Sequence, residues 1–513
     1  MLSLIKKCFV SVLLSAPFVL QAQSSKDVGY QIKGKIRGLV EKDTIYLANY
    51  YGDKQYLKDT ALVDKSGSFI IDGKAKLDGG FYIIVLPKKK IFDLVITNEQ
   101  KFSFETDTAD LIKNMQFKDS KENLAFYEYL KYVGVKGQEV EVLKPQIKTD
   151  SIATTQKLIA IDKEVSEYRK SFLTKYNGYF VAKAFKATDE VEVPEAPKLP
   201  SGVADSTFPY RYYKSHYFDN IDLNDDNMLR TPIFHNKFDR FMTKVIPQLP
   251  DSVIVEADRL IAKTSNKEVF KYLVYYITNQ AEQSKQMGMD AVFVHMYKKY
   301  YLSGRAYWVD TNTIKKIKER IEIVEPLLLG KKIPNAYLKD SLDNYKELWK
   351  VNGNFTVVFF YDPNCGHCQK EAPKLYEFYQ KNKKNVAVYA ASIERKDDDW
   401  KKFIVKNKYT DWINVWDKGV HTDFRKVFDV YSTPVIYVLD KDKKIIAKRL
   451  GVEQLQDFVD NYAKIHKIPM EKEVKESVSE LPANNTKTTT TPDKENKSNK
   501  STKGKATNSK TKK

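Results

Sequence analysis

Between residues 28 and 107, apolar and polar positions alternate with a period of two. Tyr30, Ile32, Gly34 and Ile36 open the pattern. It continues in Thr44-Ile45-Tyr46-Leu47, Ser68-Phe69-Ile70-Ile71, Phe81-Tyr82-Ile83-Ile84-Val85, Leu94-Val95-Ile96 and Phe102-Ser103-Phe104. Successive side chains of a strand face opposite ways, so this alternation marks strands with one buried face. The turn Asp64-Lys65-Ser66-Gly67 and the pair Gly79-Gly80 separate them. Short strands punctuated in this way predict a β-sandwich-like domain over 23–110.

Beyond Ser120 the period lengthens. Leu124, Phe126, Tyr127, Leu130 and Tyr132 share a helical stripe, and 152–185 reads as one long charged helix. Pro194, Pro197 and Pro200 interrupt the chain near 191–200. Helical spacing resumes over 234–245, 251–264, 267–286, 291–302 and 310–323, which predicts an α-helical domain over 111–325. The recurrent Tyr and Phe of this stretch are expected in its core. His216, His235 and His295 stand apart from one another and suggest no metal site.

After Pro326 strands and helices alternate. Continuous apolar runs over 355–361, 385–392 and 435–439, with a fourth strand over 444–449, predict an α/β domain over 326–468. Helices are expected from the C-G-H-C onward and over 397–407 and 454–465. From residue 469 to 513 the chain is Lys, Thr, Asn, Ser and Glu with little to bury, so a disordered basic tail is expected.

At the other end, Lys6 and Lys7 precede an apolar run from Cys8 to Leu20, and Ala22 follows at a cleavage-compatible position. That is the pattern of a cleaved secretory signal over 1–22. Later segments fall short of the ~18 apolar residues that a membrane span requires. The expected location is therefore the periplasm or cell envelope, with no transmembrane anchor in the mature chain.

Lys and Arg number 86 against 67 Asp and Glu, a formal net charge of +19. Nine Lys against Asp493 and Glu495 place much of that excess beyond Leu481. The remainder is diffuse and lacks a basic–aromatic pattern, so nucleic acid is not an expected partner.

Of three cysteines, Cys8 lies in the expected leader. Cys365 and Cys368 form a C-x-x-C at a strand-to-helix transition, the spacing of a dithiol redox pair. Asn364 is expected to cap the helix, with Cys365 or Gly366 its first residue. The unpaired N–H groups there favour a thiolate at Cys365, the attacking form, and Cys368 one turn on is expected to resolve the mixed disulfide. A protonated His367 would add positive charge beside Cys365; otherwise it is a solvated helix residue.

The segment from Pro326 to Ile465 resembles a thioredoxin-fold domain of the TlpA/ResA-like thiol-disulfide oxidoreductases. The matching residues are TVVFFYDPN, the CGHC pair, Pro373 five residues past Cys368, and Tyr431-Ser432-Thr433-Pro434 directly before the strand VIYVLD. The resemblance implies a cis peptide at Pro434 and a backbone edge at Thr433 that docks the partner polypeptide. Its partners would be protein thiols and disulfides and an electron donor or acceptor protein. No cofactor is implied, and a role in cytochrome complex assembly is suggested by TlpA-like relatives.

Three departures stand out. Phe359 occupies the position of thioredoxin's buried carboxylate, with Glu371 as a candidate replacement against a reading as a surface glutamate. Asp362-Pro363-Asn364 replaces the usual tryptophan-containing run, and Gly-His resembles the dipeptide of disulfide isomerases. The upstream segments containing YKSHYFDNIDLNDDNMLRTPIFHNKFDRF and MGMDAVFVHMYKKYYLSGRAYWVD resemble domains of unknown function fused ahead of envelope thioredoxins in bacteria. The alternative use of the Cys pair is a soft-metal-binding or chaperone module without redox turnover, though two Cys supply only half a tetrahedral zinc set. Haem attachment would need His after Cys368, where Gln369 stands.

Overall fold

The computed structural model describes residues 29–471 except 149, 394–396 and 418–420. The expected leader over 1–22 and the tail beyond 471 lie outside the described residues.

The first strands are β1 (Tyr30–Arg37), β2 (Thr44–Tyr51), β3 (Lys54–Leu62), β4 (Ser68–Gly73), β5 (Gly80–Val85), β6 (Ile91–Ile96), β7 (Lys101–Asp107) and β8 (Gln116–Lys118). They form two four-stranded sheets, β4-β1-β7-β8 and β3-β2-β5-β6. Phe92 of β6 meets Phe104 of β7 with ring centroids 5.5 Å apart, so the sheets pack face to face. The alternation explains the register: Ile32 and Ile36 of β1 and Phe102 and Phe104 of β7 are all buried. Two strands were not visible in that alternation. β3 is an edge strand whose Tyr56, Leu57 and Leu62 remain exposed, and β8 spans three residues.

Nine helices follow among the described residues: α1 (Lys121–Leu143), α2 (Ser151–Lys175), α3 (Phe180–Lys186), α4 (Phe208–His216), α5 (Pro232–Arg240), α6 (Pro250–Ala262), α7 (Lys267–Gln283), α8 (Asp290–Met296) and α9 (Thr311–Val324). Asp150, Thr231, Asn266 and Asp310 cap α2, α5, α7 and α9 with side-chain oxygens on N–H groups of the first turn. The single helix expected over 152–185 is two, α2 and α3. Gly178 at φ +95° turns the chain between them. The aromatics are core, as expected: Phe81 of β5 packs on Phe126 of α1 and Phe180 of α3, within one hydrophobic cluster running from Tyr30 to Val324.

The remaining strands are β9 (Tyr337–Lys339), β10 (Tyr345–Glu347), β11 (Phe355–Tyr361), β12 (Val386–Ser392), β13 (Ile413–Trp416), β14 (Val435–Asp440) and β15 (Ile445–Lys448). They form one sheet in the order β10-β9-β13-β12-β11-β14-β15. Strand β11 runs parallel to β12 and antiparallel to β14. Helices α10 (Gly366–Asn382), α11 (Asp397–Asn407), α12 (Phe424–Phe428) and α13 (Leu455–His466) accompany them. Phe355, Val357, Phe359 and Tyr361 face α10, α11 and α13. Val358 and Phe360 face α12 and the segment before β11. Both faces of β11 are covered, so it reads as a continuous apolar run. This is a thioredoxin-like domain behind β and helical regions. Among the described residues no helix is long and apolar enough to cross a membrane.

Candidate active site

Strand β11 delivers the chain to the site, and a short turn aims it. The Asp362 side chain accepts the Asn364 N–H at 2.7 Å, and the Asp362 carbonyl accepts the Cys365 N–H at 3.1 Å. That turn ties up Asn364, so α10 starts one residue later than an Asn364 cap requires. Cys365 itself is the N-cap residue, with φ −78° and ψ 121°. The Asn364 side chain instead reaches Asp399 of α11 at 3.4 Å.

Cys365 is half-buried and Cys368 is fully buried, both as free thiols. Cys365 Sγ lies 3.5 Å from the carbonyl oxygen of Thr433. The Thr433–Pro434 peptide is cis, as the family resemblance implied. Residues that are 68 positions apart therefore meet at one sulfur.

The two thiols differ in electrostatics. The backbone N–H of Cys368 points at Cys365 and holds its thiol below the usual range, with a further contribution from the His367 backbone. Burial pushes the Cys368 thiol up to about 11. The mutual influence of the two thiols favours charge on Cys365 over Cys368. The His367 ring is exposed, so its influence on Cys365 comes through the main chain. A Cβ added at Gly366 would meet nothing within 4 Å, which leaves the approach beside Cys365 open.

The Glu371 carboxylate pairs with Lys374 at 2.7 Å. Phe359, in the thioredoxin carboxylate position, is fully buried and stacks on Tyr361 with centroids 5.2 Å apart. Tyr361 and Trp400 are residues that sequence reasoning missed. The Trp400 indole N–H donates to the Tyr361 hydroxyl at 3.0 Å, in the same core cluster as Cys368. Tyr361 sat in the apolar run of β11, where nothing set its hydroxyl apart.

Residues 329–448 match the AhpC/TSA family model. Residues 148–326 and 30–126 match two domains of unknown function, DUF5106 and DUF4369. The thiol-disulfide oxidoreductase ResA of Bacillus thuringiensis (strain Al Hakam) is 30% identical over 145 residues, which are 27% of this chain and 79% of that protein. The chain belongs to the ResA thiol-disulfide oxidoreductases.

A solved domain of a possible thiol-disulfide isomerase from Cytophaga hutchinsonii is 53% identical to this oxidoreductase. The match covers 28% of this chain and 99% of that one, with a TM-score of 0.27. A thioredoxin-like protein from Bacteroides caccae is 18% identical and covers 54% of this chain and 99% of its own, with a TM-score of 0.41. The enzyme is a thioredoxin-like protein-disulfide oxidoreductase. Among its described residues no group of three or more His, Cys, Asp or Glu is placed to hold a metal ion.

Proposed function

We propose that this oxidoreductase is exported to the cell envelope and exchanges disulfides with protein partners through Cys365 and Cys368. The observation that carries this reading is the asymmetry of the pair. A half-exposed thiol eased toward the thiolate sits at a backbone edge, with a buried, high-pKa thiol behind it. In the reducing direction the Cys365 thiolate attacks one sulfur of a partner disulfide. The mixed disulfide forms as the other partner sulfur leaves as a thiolate and takes a proton. Cys368 then loses its proton and attacks Cys365 Sγ, which releases the second partner thiolate and leaves a 365–368 disulfide. The partner gains two electrons, and an electron donor protein restores the dithiol. Run backward, the same steps oxidise a partner dithiol.

The backbone around Thr433 supplies the docking edge in this reading. An open groove lined by Pro363, Gln369, Phe403 and Val405 borders the turn before Cys365 and gives a partner chain room to lie. A TlpA-like reductant or interchange role, of the kind that serves cytochrome complex assembly, is the activity proposed. Its test is insulin reduction driven by a dithiol donor. The wild-type chain accelerates the reaction and Cys365→Ser does not; equal rates would reject the proposal.

A further inference from the structure

Four residues before Thr433, the side chain of Asp429 is only 7% exposed. Two arginines hold it. Arg320 of α9 reaches over from the helical region and grips it with both ends of its guanidinium, Nη1 on Oδ1 and Nη2 on Oδ2, the latter at 3.1 Å. Arg449, just past β15, donates from Nη2 to Oδ2 at 2.7 Å. The backbone N–H of Arg449 also donates to the Ile436 carbonyl at 2.9 Å. The loop over 430–435, which contains Thr433 and Pro434, is thus fastened at both ends. Asp429 holds its start, and Ile436 holds its finish through Arg449.

Local backbone geometry adds to this. Asp429 adopts φ 55°, ψ 36° and closes α12, its N–H donating to the Phe424 carbonyl. Asp tolerates that left-handed conformation better than most residues, so the carboxylate can sit where the chain turns into the loop. The Arg320 guanidinium also lies 5.8 Å from the ring centroid of Tyr431, a cation–π distance. Tyr431, two residues before Thr433, is 59% exposed.

The seam between the helical region and the thioredoxin-like domain has other fastenings. Lys448 Nζ pairs with Asp290 of α8 and donates to the Leu327 carbonyl at 2.5 Å. Strand β15 exchanges backbone hydrogen bonds with the incoming chain, Gly330 N–H to Ile445 O and Ile445 N–H to Lys331 O, both 2.8 Å. The Lys448–Asp290 pair joins the two regions without touching the loop. What Arg320 adds is a hold on the loop itself. A bidentate arginine–carboxylate pair fixes orientation as well as distance, and a lysine in its place keeps charge but loses the fork.

We propose that Arg320 is a positioning residue for disulfide exchange. Through Asp429 and Tyr431 it sets the edge at Thr433 against which a polypeptide partner aligns its sulfur with Cys365. The helical region thereby takes part in recognising protein disulfides, in contrast to small ones, which need only reach Cys365. This inference rests on the proposed thiol-disulfide function.

The test compares two substrates in the full chain: insulin, and bis(2-hydroxyethyl) disulfide. With Arg320→Ala, KM for insulin rises about tenfold while kcat stays within about twofold, and the rate with the small disulfide does not change. Arg320→Lys recovers part of the insulin KM. Should the alanine variant fail to fold, Asp429→Asn carries the same comparison. Equal losses on both substrates, or no loss on insulin, would overturn the proposal. A wild-type chain inactive on both would overturn the thiol-disulfide reading, and this one with it.

Discussion

Cys365 Sγ and the Thr433 carbonyl oxygen lie 3.5 Å apart at the start of α10. The contact joins a half-buried sulfur just past the end of β11 to the backbone edge at the start of β14, the neighbour of β11 in the sheet. A chain laid along that edge would have its own sulfur beside Cys365. Cys368, fully buried one turn into the helix, is out of a partner's reach. The order of attack follows from exposure and acidity together.

That order has a chemical signature. Cys365→Ser abolishes exchange. Cys368→Ser forms the first bond to a partner but cannot release it, so mixed disulfides accumulate. Non-reducing electrophoresis after incubation with a disulfide-bonded protein checks this, and adduct formation by Cys365→Ser but not by Cys368→Ser would reverse the assignment.

The pH dependence follows from the two thiols. The lowered Cys365 thiol is a thiolate at pH values where a free cysteine, titrating near ~8.5, is still protonated. Cys368, pushed up to about 11, stays protonated throughout the neutral range. Site-resolved iodoacetamide labelling should therefore show Cys365 reacting with a midpoint below that of a free thiol, with Cys368 silent until strongly alkaline pH. Because main-chain N–H groups hold the thiolate, His367→Ala should move the Cys365 midpoint by less than about half a unit, worth ~0.7 kcal/mol.

Tyr361 supports the site from below. Tyr361→Phe removes the oxygen that accepts the Trp400 indole N–H and leaves that donor unpaired in the core. The expected loss is about 1–3 kcal/mol of stability, read by urea unfolding of the full chain. A Tyr361→Phe, Trp400→Phe double variant should lose less than the sum, since the unpaired donor goes as well.

Phe359 fills the place of a charged group with packed apolar surface. Phe359→Ala opens a cavity between Tyr361 and Trp412 and should cost about 3–5 kcal/mol. The urea midpoint gives the measurement. A loss under ~1 kcal/mol would mean that the ring is not packed as described.

Much of the site was legible because its signals are local. The C-x-x-C spacing, the apolar run of β11 and the Thr-Pro pair before β14 are each contained in a few residues, and the fold brings the three together. The helix cap is not legible along the chain, because the choice between Asn364 and Cys365 depends on the Asp362 side chain closing a turn two residues earlier. The break in the helix expected over 152–185 is masked because helix-compatible residues resume directly after Asn177-Gly178, where the chain turns. Strand β3 was invisible because an edge strand with exposed apolar residues has no alternation to detect. The Arg320–Asp429 contact joins residues 109 apart through side chains alone, and no pattern along the chain announces it. The Trp400–Tyr361 bond was hidden for the same reason.

The central claim is that Cys365 and Cys368 open and close as one two-electron couple. The most direct measurement equilibrates the full chain in glutathione buffers of graded ratio, quenches with acid and locates the disulfide by peptide mass spectrometry. The expected result is a single reversible bond joining Cys365 to Cys368. Its midpoint should lie between about −270 mV, the range of a reductant, and about −120 mV, that of a strong oxidant. Thiols that stay open across that whole span, or that close only onto glutathione and never onto each other, would contradict it.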